Sequence, residues 1–427
     1  MTTALLTDRY ELTMLDAALE SGIAARRCVF EVFARSLPDG RRYGVAAGLG
    51  RLLPGLADFR FDPATLAWLD DEDVVRPATL DWLADYRFRG ELYAYREGEP
   101  YVANSPVLTV AGSFAEAVLL ETLVLSVLNH DSAIAAAAAR VVSAAQGRGL
   151  LEFGSRRTHE EAAAAAGRAA YVAGFDGSSN LASGARHGVP TLGTTAHAFV
   201  LLHDDEVAAF TQQVAAAGPG TTILVDTYDT ARGIARALEA AGPSLGGIRI
   251  DSGDLAEEAR AARAQLDDAG ATGTRIVVSG DLDEHRIAAL ADAPIDAYGV
   301  GTKLVTGSGA PNAGFVYKVV ARDDAHGQLE PVAKAGGEKA TVGGRKRASR
   351  RYRDGVASGE VVRGWAAEVP TGERALQVPV LVDGEVVHDP DLDEIRAHHR
   401  AAMAELPRSA LDLATGEPVW TLEEDET

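Results

Sequence analysis

An arginine and an aspartate stand two residues apart in the segment GIRIDSGD, so Arg249 and Asp251 fall on one face of a predicted strand. The guanidinium group of arginine is shaped for bidentate capture of a carboxylate or a phosphate. A purely structural alternative is that Arg249 pairs with Asp251, while Asp254 caps the next helix. We favour anion binding by Arg249, because binding groups collect where the buried strands of a βα barrel end.

A second set of residues is suited to binding phosphate. Gly280, Gly299 and Gly301 end two consecutive apolar runs, VVSGDLDE and YGVGTKLV. Backbone N–H groups at glycine turns and helix starts cradle phosphate, although glycines serve tight turns equally well. Arg156 and Arg157 follow another run, LLEFGSRR, and two arginines beside a glycine favour an anion site over a plain surface role. Together these segments predict a strongly anionic substrate.

One histidine, His197, lies in the segment GTTAHAFVLL, after two threonines and before a largely apolar run. In such a setting a lone histidine is more often a hydrogen-bonded core residue than a reagent. Thr194 or Thr195, however, is predicted to cap a helix whose first turn contains His197, and a helix start favours a phosphate group on the ring. The apolar run is expected to form the buried face of that helix. His197 is therefore a candidate phosphate acceptor.

All these residues follow short apolar runs, and the runs alternate with helical segments. The runs are LLEFGSRR, AAYVAGFDGSSN, VPTLGTTAH, TTILVDTYDT, GIRIDSGD, RIVVSGDLDE and DAYGVGTKLV. Near-continuous apolar strands between helices indicate a parallel sheet that is buried on both faces. Seven or eight such βα units favour a barrel over a doubly wound sheet, and a barrel carries its site at the carboxyl ends of its strands.

The two ends of the chain have a mixed pattern of helices and strands. TDRYELTMLDAALESG predicts a helix, and CVFEVFAR predicts a strand. Residues 114–146 predict two helices, broken near 129–131, and the acidic C-terminus is expected to fray. We predict an N-terminal α/β domain over residues 1–130, a barrel domain over 131–334, and a C-terminal part over 335–427 that packs on the N-terminal domain.

Composition excludes several classes of function. The chain has 427 residues, 62 of them acidic, and its net charge of −21 argues against binding to nucleic acid or to a membrane surface. The single cysteine, Cys28, excludes an internal disulfide and any metal site built from several cysteines. No apolar run reaches the roughly 18 residues of a membrane span, and the N-terminus lacks a basic signal region. We expect a soluble, cytoplasmic protein.

Eight segments, taken together, resemble the nicotinate phosphoribosyltransferase family in their order and spacing. They are TDRYELTM, EFGSRR, GFDGSSNLASG, GTTAHAFV, DTYDTARG, IRIDSGD, VVSGDLDE and YGVGTKLVT. The resemblance implies an α/β fold of the type II phosphoribosyltransferases: a TIM-like (β/α) barrel with fewer than eight full units, plus an α/β sandwich domain built from both chain ends. It also implies a homodimer with sites at the subunit interface. The implied reaction joins nicotinate to phosphoribosyl pyrophosphate, coupled to ATP hydrolysis, and gives nicotinate mononucleotide in NAD biosynthesis.

The resemblance assigns the nicotinate site residue by residue. Tyr10 of the partner subunit and Phe153 would stack on the two faces of the pyridine ring. Arg249 would hold the carboxylate, with Thr194 beside the nicotinate. Ser179 stands where nicotinamide-using relatives place an aspartate, whose carboxylate would repel nicotinate, so Ser179 favours the acid over the amide.

The resemblance places the phosphoribosyl pyrophosphate contacts on residues that follow the predicted strands. They are Arg156, Arg157, Asp251, Ser252, Gly280, Asp281, Gly299, Gly301 and Thr302. The two arginines would face the pyrophosphate, and the turns that begin at Gly280 and Gly301 would hold the 5′-phosphate.

His197 matches the family's phosphohistidine, which implies that ATP phosphorylates it and that Arg249 and Asp251 complete the catalytic set. Mg²⁺ would neutralise the departing pyrophosphate, with its protein ligands left unspecified. One departure lies in the tail, where Glu338 replaces a small or polar residue. The role of the basic segment 345–353 stays open.

Three other functions stay open on the sequence. The same fold could use nicotinamide or quinolinate. A barrel lyase or aldolase acting on a sugar phosphate would need a catalytic lysine, for which Lys303 is the candidate. A non-catalytic protein that binds a phosphorylated metabolite would need the phosphate site alone.

Overall fold

A computed structural model describes residues 2–334 and 342–425 of the chain. The chain divides into two compact units, one made of residues 1–136 and 312–427 and the other of residues 137–311. The predicted domain boundaries at 130/131 and 334/335 stay predictions. The departure at Glu338 lies outside the described residues.

The helices of the described residues are numbered in chain order. They are α1 (Arg9–Glu20), α2 (Leu49–Ala57), α3 (Pro63–Asp71), α4 (Pro77–Ala84), α5 (Phe114–Val118), α6 (Glu121–Ala145), α7 (Glu160–Val172), α8 (Leu181–His187), α9 (His197–Leu201), α10 (Glu206–Ala217), α11 (Thr230–Ala241), α12 (Leu255–Asp268), α13 (Glu284–Ala289), α14 (Thr302–Val305) and α15 (Leu392–Ala404). Short 3-10 turns occur at Ser155–Arg157, Gly242–Ser244, Gly307–Gly309 and Arg408–Leu411.

The strands are numbered in the same way. They are β1 (Arg27–Ala34), β2 (Gly44–Val45), β3 (Glu91–Tyr95), β4 (Pro100–Tyr101), β5 (Leu108–Ser113), β6 (Gly149–Glu152), β7 (Gly177–Ser178), β8 (Thr222–Leu224), β9 (Gly247–Ile250), β10 (Arg275–Val278), β11 (Ala297–Val300), β12 (Phe315–Asp323), β13 (Leu329–Pro331), β14 (Lys346–Arg353), β15 (Val356–Gly364), β16 (Arg374–Ala375), β17 (Gln377–Val382), β18 (Glu385–Val386) and β19 (Leu422–Asp425).

The second unit is built on a parallel sheet of six strands in the order β7-β6-β11-β10-β9-β8. One face of its strands is apolar and fully buried, as Ile248, Ile276, Val278 and Val300 show with 0% exposure. On the other face Leu224 and Val277 are buried, whereas Arg249 is only partly buried. The predicted fold class is confirmed. Seven or eight strand units were expected, and six of the seven predicted runs form strands. The seventh run, VPTLGTTAH, contributes only a parallel bridge between Ser178 of β7 and Thr191.

Aspartate side chains start four of the helices that lie between or after these strands. Asp205, Asp229, Asp254 and Asp283 each accept hydrogen bonds from backbone N–H groups in the first turn of α10, α11, α12 and α13. Such a cap is worth about 1 kcal/mol of helix stability. Asp254 is therefore a helix cap, which is the structural alternative considered for it from the sequence.

Residues 121–145 form one uninterrupted helix, α6, so the predicted break near 129–131 is wrong. The polar residues there are held within the protein: Asp131 is buried and pairs with Arg51 at 2.7 Å, and the buried hydroxyl of Ser132 accepts a hydrogen bond from the N–H of Ala47. Tertiary contacts thus provide partners for polar groups that interrupt the apolar stripe, although one oxygen of Asp131 has none among the described residues. By length and composition α6 could cross a membrane, but 67% of its apolar window is buried inside the protein, as in the core helix of a soluble protein.

The first unit joins both chain ends in a seven-stranded sheet of order β13-β12-β1-β5-β3-β17-β18. β1 pairs antiparallel with β5 on one side and with β12 on the other, and β17 pairs with β3. β19 pairs parallel with β15, so the C-terminal residues 422–425 are part of a sheet and the expected fraying is wrong there. The core of this unit contains Leu15, Val32 and Leu52, all fully buried.

A buried cluster of charges also lies in the first unit. Glu99 is 0% exposed and pairs with Arg374 at 2.8 Å and with His398 at 2.9 Å. Arg350, also 0% exposed, lies 3.1 Å from Glu360 and 3.5 Å from Glu99. Burial alone would raise the pKa of Glu99, but hydrogen bonds from His398 and Arg374 outweigh it and lower the pKa to about 2.

Candidate active site

A cavity of about 460 Å³ opens at the carboxyl ends of the parallel strands, within the second unit. It is lined by Phe153, Ser155, Arg156, Arg157, Ser179, Gly193, Thr194, Thr195, Ala196, Arg249, Asp251, Ser279, Gly280, Asp281, Gly299, Gly301 and Thr302. Twelve of these seventeen residues are predicted site residues. The structure therefore gathers most of the predicted site in one place.

Arg249 lies on β9 and reaches two other predicted residues. Its Nη1 donates a hydrogen bond to Oγ1 of Thr194 at 2.6 Å, and its guanidinium carbon lies 5.9 Å from the centre of the Phe153 ring. Burial lowers the pKa of Arg249, and the carboxylates of Asp251 and Asp226 oppose that effect. The Nε–H group is buried without a hydrogen-bond partner among the described residues. A partly buried guanidinium that lines a cavity is a ready site for an anion.

Asp251 and Asp226 form a pair of carboxylates at the ends of β9 and β8. Asp251 accepts a hydrogen bond from the hydroxyl of Ser279 at 2.6 Å, and its other oxygen lies 3.9 Å from Nε2 of His197. One oxygen of Asp226 accepts hydrogen bonds from the backbone N–H of Asp251 at 2.8 Å and from the hydroxyl of Ser252 at 2.7 Å. The other oxygen of Asp226 is buried without a partner among the described residues. This region can accept donors or a cation.

His197 is the first residue of α9, as predicted, but neither threonine caps that helix. The N-cap is Ala196, whose side chain cannot form a hydrogen bond. The two threonine hydroxyls bond elsewhere: that of Thr194 donates to the carbonyl of Thr195, and that of Thr195 donates to Gln213. α9 has only five residues, so its dipole contributes little. The predicted threonine cap is wrong.

The imidazole of His197 is not a core side chain, since it is 39% exposed. Its Nδ1 lies 3.1 Å from the hydroxyl of Thr227, which leaves Nε2 on the side of Asp251. The apolar run that follows is only partly buried: Val200 is 1% exposed, whereas Leu201 and Leu202 are 59% and 81% exposed. The expectation that the whole run forms a buried helix face is wrong.

Two glycines of the predicted phosphate site are required by close approach. A Cβ atom on Gly280 would lie 2.6 Å from the carbonyl oxygen of Asp251, and its φ of 111° also disfavours a side chain. A Cβ atom on Gly299 would lie 2.5 Å from the Phe153 ring. Asp281, directly after Gly280, also has a positive φ of 49°, so this turn exposes successive backbone N–H groups in an unusual conformation.

Arg156 and Arg157 belong to the 3-10 turn directly after β6 and Phe153. Both side chains are exposed at the cavity, and neither lies within salt-bridge distance of a carboxylate among the described residues. Two unpaired guanidinium groups beside one cavity attract a multiply charged anion.

The remaining predicted residues are placed as follows. Ser252 binds Asp226 and does not line the cavity. Tyr10 is in the first turn of α1, within the first unit, and is 45% exposed. Partial burial and the carboxylates of Glu121 and Glu11 raise the pKa of Tyr10 to about 12.

Several residues of the site were missed in the sequence. Ser155, Gly193, Ala196 and Ser279 line the cavity, and Thr195 does so without capping a helix. Asp226 and Thr227, which contact Asp251 and His197, were also given no role. The signal for both was available, since the run TTILVDTYDT ends at Asp226 and Thr227 in the same way as GIRIDSGD ends at Asp251.

Comparison with known proteins gives consistent matches along the chain. A family model described as the nicotinate phosphoribosyltransferase N-terminal domain matches residues 5–129, and one described as the quinolinate phosphoribosyl transferase C-terminal domain matches residues 134–308. The nicotinate phosphoribosyltransferase pncB1 of Mycobacterium tuberculosis is 56% identical over 425 residues, covering 97% of this chain and 93% of that protein. The nicotinate phosphoribosyltransferase of Bacillus subtilis is 39% identical over 357 residues, covering 81% of this chain and 73% of that protein.

Two solved structures are similar over nearly the whole chain. The crystal structure of human nicotinic acid phosphoribosyltransferase has a TM-score of 0.81 at 26% identity, covering 98% of this chain and 97% of the other. That of nicotinate-nucleotide pyrophosphorylase from Pyrococcus furiosus has a TM-score of 0.77 at 26% identity, covering 94% and 95%.

Proposed function

The chain belongs to the nicotinate phosphoribosyltransferase family, and from that premise we propose how its residues carry out the transfer. The reaction joins nicotinate to phosphoribosyl pyrophosphate and gives nicotinate mononucleotide and pyrophosphate in NAD biosynthesis. The single observation that carries the assignment to the acid is Arg249, a partly buried guanidinium that lines the cavity together with the Phe153 ring.

The pyridine carboxylate is held by Arg249, since a planar guanidinium matches a carboxylate with two parallel N–H···O bonds. Thr194 orients Arg249 through their 2.6 Å hydrogen bond, and Phe153 offers an aromatic face to the ring. Ser179 lines the same cavity and carries no charge, so nothing at this position repels the acid.

The phosphoribosyl pyrophosphate is held at the cationic and glycine-rich parts of the cavity. Arg156 and Arg157 bind the pyrophosphate, because they are the unpaired cations there. The backbone N–H groups of the turns at Gly280–Asp281 and Gly301–Thr302 bind the 5′-phosphate.

The chemical step is a displacement at C1 of the ribose. A bond forms between C1 and the pyridine nitrogen, and the bond from C1 to the pyrophosphate oxygen breaks, so the pyrophosphate leaves with the bonding electrons. The pyridine nitrogen of nicotinate is already a nucleophile, so no general base is needed. Positioning of the two reactants supplies most of the rate enhancement.

ATP enters through His197. The γ-phosphoryl group of ATP is transferred to the imidazole, ADP leaves, and water later releases phosphate from the phosphohistidine. Exposure of the ring, the hydrogen bond of its Nδ1 with Thr227 and the nearby carboxylate of Asp251 support this role. Asp251 would stabilise the positive charge on the imidazole during phosphoryl transfer.

Asp251 lines the cavity and Asp226 contacts its backbone from outside the lining, and this acidic pair fits Mg²⁺ delivered with the substrate. No group of three or more metal-binding side chains occurs among residues 2–334 and 342–425, so a cage built by the protein alone is not supported. Mg²⁺ is commonly bound by one or two carboxylates together with substrate phosphates. Asp251 and Asp226, whose free oxygen is buried without a partner, would hold it, and it would neutralise charge on the pyrophosphate.

A homodimer is the expected assembly, with Tyr10 of the partner subunit completing the pyridine site. Tyr10 is 45% exposed and so is available to a partner subunit, and the adjacent side chains of Leu201 and Leu202, 59% and 81% exposed, offer an apolar surface to a partner. The family's role in intermediary metabolism supports a cytoplasmic location.

Two of the alternative reactions find less support: a lyase or aldolase reaction, and transfer to nicotinamide. Lys303, the lysine that a lyase or aldolase would use, is in α14 and does not line the cavity. Quinolinate and nicotinamide remain chemical competitors, and the neutral Ser179 and the cationic Arg249 together favour a pyridine with one carboxylate over the amide.

Steady-state assays with phosphoribosyl pyrophosphate and each of nicotinate, nicotinamide and quinolinate test the reaction. We expect the highest kcat/KM for nicotinate, and a preference for the amide or for quinolinate would overturn the assignment.

Labelling with γ-labelled ATP tests the phosphohistidine. We expect acid-labile label in the peptide that contains His197, and none in the His197→Asn variant. His203→Asn is the matched control, because His203 lies in the next turn and its Nδ1 contacts only the carbonyl of Phe199. Label that persists in His197→Asn would remove the ATP-coupling step while leaving the transfer reaction intact.

A further inference from the structure

A buried carboxylate lies behind the cavity without touching it. Glu152, the last residue of β6, is 0% exposed and is not among the residues that line the cavity. Within the described part of the chain its carboxylate accepts two hydrogen bonds and has no cationic partner. Burial of a carboxylate without a cation destabilises the folded protein, and the two hydrogen bonds offset part of that cost.

The two donors belong to turns at the ends of two different strands. The backbone N–H of Gly154, after β6, donates to Oε1 of Glu152, and the hydroxyl of Ser178, at the end of β7, donates to Oε2. The backbone carbonyl of Glu152 also accepts a hydrogen bond from the N–H of Ser179 at 2.9 Å. Glu152 therefore ties the turn after β6 to the end of β7.

A second link between the same turns runs through Asn180. Its backbone N–H donates to the hydroxyl oxygen of Ser178 at 2.9 Å, and its side-chain Nδ2 donates to the hydroxyl of Ser155 at 3.2 Å. We call the five residues Glu152, Gly154, Ser155, Ser178 and Asn180 the Glu152 bridge. It is a closed ring of contacts between the two turns.

The residues that alternate with this bridge are those proposed to bind substrate. Phe153 precedes Gly154, Arg156 and Arg157 follow Ser155, and Ser179 lies between Ser178 and Asn180. All of them line the cavity. Of the bridge itself only Ser155 lines the cavity, whereas Glu152, Gly154, Ser178 and Asn180 do not.

We propose that Glu152 is a positioning residue that keeps the aromatic and cationic side chains after β6 in register with Ser179 after β7. The inference rests on the proposed function, because Phe153 and the two arginines matter to turnover only if they hold nicotinate and pyrophosphate. A displacement of about 1 Å in such groups can cost about 10²-fold in rate.

The bridge needs a side chain that accepts at both oxygens. The N–H of Gly154 can only donate, and the hydroxyl of Ser178 already accepts from Asn180 and gives its hydrogen to Glu152. Burial raises the pKa of Glu152, and the two hydrogen bonds oppose that effect by stabilising the ionised form. A glutamine of equal volume can keep the contact with Gly154 through its oxygen, but its N–H group then points to Ser178, whose hydroxyl hydrogen loses its acceptor. The change would so weaken the bridge without leaving a cavity.

Glu152→Gln, Ser178→Ala and the double variant test the proposal, with Ser178→Ala as the milder change if Glu152→Gln folds poorly. We expect each single variant to raise the KM for nicotinate and for phosphoribosyl pyrophosphate, with kcat/KM lower by about 10- to 100-fold. The double variant should have the same kcat/KM as the less active single variant, because the two substitutions remove the same linkage.

Asp176→Asn is the matched control. Asp176 also accepts a backbone N–H on β6, that of Leu150 at 2.9 Å, but at the amino end of the strand. Its substitution should leave both KM values unchanged, and the melting temperature of every variant reports the structural cost.

The outcomes separate the two claims. A wild-type protein that does not convert nicotinate would overturn the proposed function itself. An active wild type with Glu152→Gln and Ser178→Ala variants that lose melting temperature or active fraction but keep wild-type KM values would overturn the positioning role. Losses that multiply independently in the double variant would do the same.

Discussion

Replacement of Arg249 by methionine removes the proposed carboxylate clamp while keeping a long apolar side chain beside Phe153. In the structure Arg249 lines the cavity and uses only one N–H group on Thr194, so it keeps further guanidinium donors for the substrate. Two charge-assisted hydrogen bonds contribute about 1.5–3 kcal/mol each, or about 3–6 kcal/mol together. At about 1.4 kcal/mol per tenfold change, kcat/KM for nicotinate should fall by about 10²- to 10⁴-fold.

The assay compares nicotinate with nicotinamide, which lacks the charge that the clamp recognises. For Arg249→Met we expect nicotinamide turnover to change much less than nicotinate turnover, so the preference for the acid should collapse. Arg249→Lys keeps a charge but loses the planar fork, and should lie between the wild type and Arg249→Met. Competition constants of the two pyridines give the same ratio where turnover of the amide is too slow to follow.

Arg275→Met is the control for loss of an arginine from the same sheet. Arg275 is exposed at the amino end of the neighbouring strand β10, away from the carboxyl ends that form the cavity. Its substitution should leave kcat/KM unchanged. The reasoning fails if Arg249→Met keeps nicotinate turnover within about threefold of the wild type, or if it loses the acid and the amide by the same factor.

Three further predictions follow from other contacts. Thr227→Val removes the hydroxyl at Nδ1 of His197 with little change of shape, so labelling of His197 by γ-labelled ATP should fall several-fold; undiminished labelling would contradict it. Gly299→Ala places a Cβ 2.5 Å from the Phe153 ring, so we expect a higher KM for nicotinate and a cost of about 1–3 kcal/mol in unfolding free energy; a wild-type KM would show that the ring can move freely. The pKa of Glu99 is about 2 in the folded protein against a usual 4.5, so its ionised form stabilises the fold above about pH 4.5 and that stability is lost as the pH falls toward 2; Glu99→Gln should lower the melting temperature at neutral pH and flatten its decline in acid, which thermal scans across pH 2–7 measure.

The parallel sheet and most of the cavity could be predicted because they depend on local patterns. Buried parallel strands need near-continuous apolar residues, so each strand end is marked in the sequence by the first polar residues after the run. Arg249 and Asp251 were found in this way, as were Gly280 and Gly301. Asp226 carries the same mark, and was missed only because no chemical role was attached to it.

Features that depend on tertiary contacts could not be read in this way. The polar residues near 129–131 predict a break in α6, but Asp131 pairs with Arg51 and Ser132 bonds to Ala47, both far away in the sequence, and the helix continues. Thr195 is of a residue type that often caps helices, yet its hydroxyl donates a hydrogen bond to Gln213 instead. In both cases a partner distant in the sequence decides the local structure.

The Glu152 bridge was invisible for a related reason. Glu152 precedes Phe153 in a segment that attracts attention for its arginines, and no pattern indicates that its carboxylate is buried and reaches Ser178. A single buried acid in a strand has no periodic signature, and one of the two hydrogen bonds that compensate its burial comes from Ser178 on a neighbouring strand.

The first unit is made of two separate segments of the chain, so it cannot complete its fold until the second of them has been synthesised. Residues 137–311 form the second unit as one continuous segment, whereas the first unit needs residues on both sides of it. Strand β1 lies in the middle of the seven-stranded sheet, and its edge toward β12 has no partner until residues 315–323 have left the ribosome. At a synthesis rate of about 5–20 residues per second, β1 therefore has an open edge for on the order of ten seconds or more. An open strand edge can pair with another chain, so chaperones or early folding of the inserted segment would protect the nascent chain from aggregation during that interval.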